Sequence, residues 1–120
     1  MYNNVVKDHF LQPRNVGEFK NPDCVGTAKN SVDGDHVQLH LKLENQKIKD
    51  VRMKVMGCVA AIASTSLLTE MLKDRTIHEA LLITKETLVE QLHGLPEPKI
   101  HCSLTCIEAL QNALKTRHSG

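Results

Sequence analysis

Five side chains able to do chemistry stand at junctions between the regular elements of this chain. Asp33 and Asp35 lie in a turn ahead of a long strand, Cys58 lies where a strand gives way to a helix, and His101 and Cys102 lie where a proline-rich loop enters the last helix. Two thiolates, an imidazole and two carboxylates form a ligand set suited to zinc or iron. No C-x-x-C pair is present, so spacing alone does not specify the metal. Taken singly, each residue also has a plainer role: Asp33 and Asp35 as turn formers, His101 as a helix-end hydrogen-bonding group, Cys58 as a small buried filler. Collectively they occupy element edges, where functional side chains tend to be placed.

Cys58 belongs to the stretch that organises the chain, Val55–Lys73, VMGCVAAIASTSLLTEMLK. Gly57 supplies the backbone freedom for a strand-to-helix switch. Cys58 follows at a helix N-terminus, where unpaired N–H groups favour a thiolate. The helix behind it is small or apolar nearly all round, the pattern of a buried helix. Cys102 is likewise expected beside His101 at a helix N-terminus, both features acting to lower its thiol pKa.

The remaining elements must position these groups. Met1 to Phe10 carries a short helical pattern that stops at Pro13, and Arg14–Asp23 reads as loop; residues 1–23 are expected to be mobile unless docked. Val25–Val32 reads as a first strand closed by the turn dipeptide Asp33-Gly34. Val37–Leu43 alternates, with Val37, Leu39, Leu41 and Leu43 inward, and Ile48–Met56 returns with Val51, Met53 and Val55 inward. His36 and His40 fall on the outward side, as surface histidines. After the central helix, Thr76 and Glu79 form a capping box for a short helix ending near Ile83. Thr84 caps a helix over Lys85–His93, and Leu95–Lys99 (LPEPK) reads as an extended, stiff, exposed loop. Ser103 to about Thr116 forms the last helix. The expected architecture is α+β: a three-stranded antiparallel sheet with helices packed on one face.

A chain of 120 residues suits one domain spanning 1–120. A net charge of +1 without a basic run argues against a nucleic-acid or membrane surface. Aromatic content of 2% makes the core aliphatic. No signal peptide or membrane-length apolar run is visible, so a cytoplasmic setting is expected, and there four cysteines are read as metal-binding or catalytic rather than as disulfides.

Four stretches, DHFLQPRNVGEF at Asp8–Phe19, DGD at Asp33–Asp35, GCVAAIASTSLLTEM at Gly57–Met71 and LPEPKIHCS at Leu95–Ser103, resemble the IscU / NifU N-terminal family of iron–sulfur cluster assembly scaffolds in order and spacing. The resemblance runs nearly end to end and implies a SufE/NifU-like fold. It also implies a scaffold rather than an enzyme, one that takes sulfur from a cysteine desulfurase, assembles a transient [2Fe–2S] cluster on bound iron and passes it to acceptor proteins. By position, Asp35, Cys58, His101 and Cys102 match the family's cluster- and metal-binding residues, and Cys102 its persulfide acceptor. The loop Leu95, Pro96, Glu97, Pro98, Lys99 is similar to the motif gripped by a heat-shock-type chaperone. A monomer or weak dimer, with zinc in the isolated protein, fits the same picture. The uninterrupted span from Cys58 to Cys102 resembles the IscU branch rather than the zinc-dependent SufU branch.

The departure from the pattern lies at Asp33, where the family carries its first cysteine. An oxygen ligand is harder than sulfur, tilting the site toward Zn²⁺ or Fe²⁺ and making any cluster on Asp33, Cys58, Cys102 and His101 or Asp35 labile. LPEP also stands where the family has LPPV. Cys24 and Cys106 fall outside the pattern; Cys106 lies one turn after Cys102, on the side of Leu110, and a core role is the safer reading of it. Beside the scaffold stand two alternatives, a persulfide carrier or zinc-binding paralogue that builds no cluster, and a paralogue kept only as a desulfurase-binding partner.

Overall fold

A computed structural model describes residues 2–117; Met1, where the first helical pattern begins, and the last three residues of the 1–120 span lie outside it. Three strands, β1 (Cys24–Lys29), β2 (His36–Glu44) and β3 (Lys47–Met56), form an antiparallel meander in the order β1-β2-β3. The inward residues Val37, Leu39, Leu41 and Val51 are fully buried, as the alternation requires. Five helices accompany the sheet: α1 (Asn4–Leu11), α2 (Val59–Leu72), α3 (Ile77–Leu81), α4 (Lys85–Gln91) and α5 (Ile100–Lys115). Helices α2 and α5 lie against the inner face of the sheet, and α1 packs on α2. At Gly26, α5 comes so close that a Cβ would sit 2.1 Å from the Ala109 carbonyl oxygen. The glycine that weakens β1 as a strand signal is what admits the helix.

Helix α2 is the buried helix its composition requires. Its hydroxyls stay paired inside: Ser64 donates to Ala60 O (2.6 Å), Thr65 to Ala61 O (2.7 Å) and Thr69 to Ser66 O (2.7 Å). Ser66 Oγ accepts from the Arg14 backbone N–H and bonds His9 Nδ1 at 2.8 Å, tying α1 and the following loop to this helix. The capping box of α3 forms between Thr76 and Glu79, and Thr84 caps α4.

Several expectations are corrected. The first strand ends at Lys29 rather than Val32, so a six-residue loop, Asn30–Asp35, replaces a tight Asp33-Gly34 hairpin turn. The Asn30 side chain explains the change, accepting from Asp33 N (2.9 Å) and donating to Asp35 Oδ2 (2.7 Å) and Thr105 Oγ1 (3.0 Å). Residues 2–23 are docked. Asn3 caps α1 and donates to the carbonyls of Leu92, His93 and Gly94, while Asn15 and Gly17 pair with Met53 on the free edge of β3. Phe19 then lies over Arg52 and Lys42 on the outer face of the sheet. His40, expected at the surface, is buried, registered opposite Arg52 and hydrogen-bonded to Gln38, and burial lowers its pKa. The LPEPK loop is extended only at its start. Glu97–Lys99 make one 3-10 turn, which tolerates Pro98 near its beginning, and α5 starts at Ile100, three residues early.

Candidate metal and sulfur site

Three junctions meet at one end of the sheet: the Asn30–Asp35 loop, the step from β3 into α2, and the first turn of α5. One ligand atom each from Asp33, Asp35, Cys58 and Cys102 lies within 4.8 Å of the others. The two sulfurs are 3.5 Å apart. His101 joins through Asp33, its Nε2 standing 2.5 Å from Asp33 Oδ2 and 3.7 Å from Cys102 Sγ. All five residues singled out from the sequence are therefore neighbours in space, across separations of up to 69 positions.

Local structure fixes each of them. Cys58 is the N-cap of α2 but caps nothing with its own side chain. Asp35 does so instead, its Oδ1 accepting the Cys58 N–H at 2.9 Å. A Cβ on Gly57 would fall 2.3 Å from that oxygen, so the glycine is required by the approach of the carboxylate. Asp35 is almost wholly buried. Burial works to raise its pKa, and the hydrogen bonds from Asn30, the Cys58 amide and Cys102 outweigh it, leaving the carboxyl below its ordinary value.

Asp33 is the most heavily engaged group. Lys99 Nζ donates to its Oδ1 at 2.9 Å, His101 lies on Oδ2, and the Cys102 thiol donates to Oδ2 at 3.4 Å. The hydrogen bond from Lys99 leads in holding its carboxyl down to about 2, with those from His101 and Cys102 adding and desolvation opposing. The lysine of the LPEPK loop is thus fastened to the ligand cluster, a contact no spacing rule reveals.

The expectation of a lowered Cys102 thiol pKa is overturned. Cys102 does lie in the first turn of α5 beside His101, but it is fully buried. Burial, then its contacts with Cys58 and Asp35, push its pKa up. In the metal-free protein, low polarity and nearby anions outweigh a helix N-terminus. Cys58 is only half-buried. Cys106, fully buried, donates to Ser103 O at 3.1 Å, and burial pushes its thiol up to about 12. Cys24 begins β1, whereas the site lies past the strand's other end, and burial first raises its pKa to about 11. Both belong to the core, as the safer reading has it for Cys106.

Two groups escaped the sequence reading. Tyr2 is one: with Leu95 of the LPEPK loop it packs on the cluster of Ala60, Ala61 and Cys102, which Cys58 also joins, as a roof beside the sulfur pair. Desolvation first, then Cys58, raises the pKa of the Tyr2 phenol. Asn30 is the other; an Asn two positions past a strand pattern reads as ordinary turn chemistry, and only its three partners show otherwise.

The chain matches the family described as NifU-like N terminal domain over residues 1–119. It is 46% identical over 114 residues to the iron-sulfur cluster assembly scaffold protein IscU 1 of Archaeoglobus fulgidus, covering 95% of this chain and 74% of that protein. Identity to the iron-sulfur cluster assembly scaffold protein IscU of Aquifex aeolicus is also 46%, over 116 residues, with the same 95% and 74% coverage. In three dimensions it is similar to the N-terminal part of a nitrogen-fixing NifU-like protein from Brucella abortus, with a TM-score of 0.80 at 16% identity over 94% of this chain and 91% of that one.

Proposed function

We propose, from the premise that the chain belongs to the family of NifU-like N-terminal domains, that it is an iron–sulfur cluster assembly scaffold. The observation that carries this reading is the convergence of Asp33, Asp35, Cys58 and Cys102 within 4.8 Å, with His101 alongside. Residues 1–120 act as one scaffold unit rather than as an enzyme. Cys102 accepts sulfur as a persulfide from a cysteine desulfurase. Asp33, Cys58, His101 and Cys102, with Asp35 in reach, hold iron and then a transient [2Fe–2S] cluster that passes to acceptor proteins. Zinc takes the same ligands in isolated protein. The work is cytoplasmic, and no helix among the described residues is long and apolar enough to cross a membrane. A heat-shock-type chaperone gripping Leu95–Lys99 would pull on Lys99, and through it on Asp33, promoting release of the cargo.

Asp33 gives the site its particular chemistry. If Asp33 and His101 both ligate iron, their mutual contact must open, and an oxygen ligand holds the cluster less firmly than a third thiolate. The same engagement favours the second reading, a persulfide carrier or zinc-binding paralogue in which Asp33 stays paired and no cluster forms. Anaerobic reconstitution with ferrous iron and inorganic sulfide decides between them. Visible absorption with equal iron and sulfide per chain is expected. Protein that stays colourless and keeps only zinc overturns the scaffold reading.

A further inference from the structure

Resting on that reading of Cys102 as sulfur acceptor, we propose that Cys58 and Cys102 form a self-resolving pair, in which Cys58 releases the accepted sulfur as sulfide and leaves an intramolecular disulfide. The sulfurs stand 3.5 Å apart, the separation of a near-attack arrangement. Of the remaining cysteines, Cys24 starts β1, and Cys106, one turn after Cys102, is buried in the core with its S–H donated to Ser103 O. Asp35 Oδ2 lies 3.7 Å from Cys58 Sγ and accepts its S–H. His101 Nε2 lies 3.7 Å from Cys102 Sγ, beside the bond that must break.

The step balances within the site. Cys58 Sγ attacks Cys102 Sγ, the inner sulfur of the persulfide. The Cys58 S–H bond breaks, its proton passing to the departing outer sulfur, and a Cys58–Cys102 S–S bond forms. The bond between Cys102 Sγ and the outer sulfur breaks, and that sulfur leaves as hydrosulfide, taking up the proton as H₂S. Cys58 passes from thiol to disulfide, Cys102 exchanges one S–S bond for another, and the outer sulfur leaves with the electron pair of the broken bond, reduced to sulfide. Hydrosulfide is a good leaving group, which favours this direction of thiol–disulfide exchange. A dithiol reductant then returns the pair to thiols. Sulfide is thus released beside Asp33 and His101 with electrons from the cysteine pair, which the dithiol must restore before Cys58 and Cys102 can hold iron.

The test uses the full chain, freed of metal by chelation, treated anaerobically with glutathione persulfide and quenched with an alkylating agent at intervals. Sulfide is assayed, and the cysteines are mapped by peptide mass. The expected result is sulfide and Cys58–Cys102 disulfide rising together in a one-to-one ratio, with dithiothreitol restoring both thiols. Cys58→Ser should hold a persulfide on Cys102 and lose the sulfide release. Wild-type protein that keeps its persulfide as long as Cys58→Ser does overturns the proposal. So does sulfide release without the disulfide, or a Cys58→Ser protein that takes no persulfide at Cys102. Reconstitution with iron and inorganic sulfide reads the scaffold function separately, because supplied sulfide bypasses the persulfide.

Discussion

Asp33 is where single-residue chemistry decides most. Its carboxyl is held down to about 2, by Lys99 first and then His101 and Cys102, with desolvation opposing. The folded pKa lies below the ordinary 3.8, so the ion pair's contribution to stability is complete above that value and is lost as pH falls through about 2. Lys99→Met should therefore move the Asp33 carboxyl titration, followed by carbon-13 NMR, upward; an unmoved midpoint would mean that Lys99 is not its main support. The thiols run the other way. With the Cys102 pKa raised, metal binding must strip a proton that the free site holds firmly. Zinc affinity should fall steeply as pH is lowered, with proton release visible as buffer-dependent heat in calorimetry. Heat independent of the buffer would exclude thiolate ligation. Asp33→Cys should lengthen cluster lifetime against a chelator and Asp33→Ala shorten it, since a thiolate binds iron more covalently than a carboxylate. Equal decay in the wild type and both variants would make Asp33 a turn residue only.

Elements were more legible than the turns that join them. The alternation Val37–Leu39–Leu41 and the small, apolar run after Cys58 describe β2 and α2 without ambiguity, because period and burial agree. The five site residues could be named because they carry rare chemistry at element edges. The end of β1 is not legible because Asn30 leaves the strand to serve two aspartates and α5, and such partners leave no periodic trace. The start of α5 is hidden because the prolines of LPEPK argue against helix, though a 3-10 turn admits them. The burial of His40 is not legible because alternation gives the side of a strand and says nothing of whether that side is covered. Two substitutions test the joints. Asn30→Ala should lower stability by about 1–3 kcal/mol, the range for leaving buried polar groups unpaired, and weaken zinc binding by freeing both aspartates. Gly57→Ala should push Asp35 off the Cys58 N–H, with a cap loss of about 0.5–2 kcal/mol in thermal or denaturant unfolding. Unchanged zinc affinity in both would detach this framework from the site.

At the scale of the molecule, the N-terminal segment closes the structure around the sulfur pair. Alone, α1 is too short to be stable, yet Val6 is fully buried against Ala63 and Leu92, and Tyr2 reaches the site. One side chain does much of the fastening: Asn3 caps α1 through Val6 N at 3.0 Å and donates to three carbonyls at the end of α4. Those carbonyls, Leu92–Gly94, run directly into Leu95, the other half of the roof. Asn3→Ala should therefore release α1 and the roof together, while the sheet and α5, which share no bond with Asn3, keep their hydrogen-exchange protection. The cap loss is about 1 kcal/mol, too little to unfold the whole chain but enough to raise the open fraction of a marginal segment several-fold. The Cys58 thiol, half-buried beneath Tyr2, should then alkylate several-fold faster in metal-free protein, with Cys106 unchanged as an internal control. Faster exchange in α1 with no change at Cys58 would mean that the segment is docked for stability alone. Acceleration at both cysteines would mean that Asn3 holds the entire fold and not the roof. Acceleration at Cys58 with Cys106 unchanged identifies the N-terminal segment as a cover over the sulfur pair.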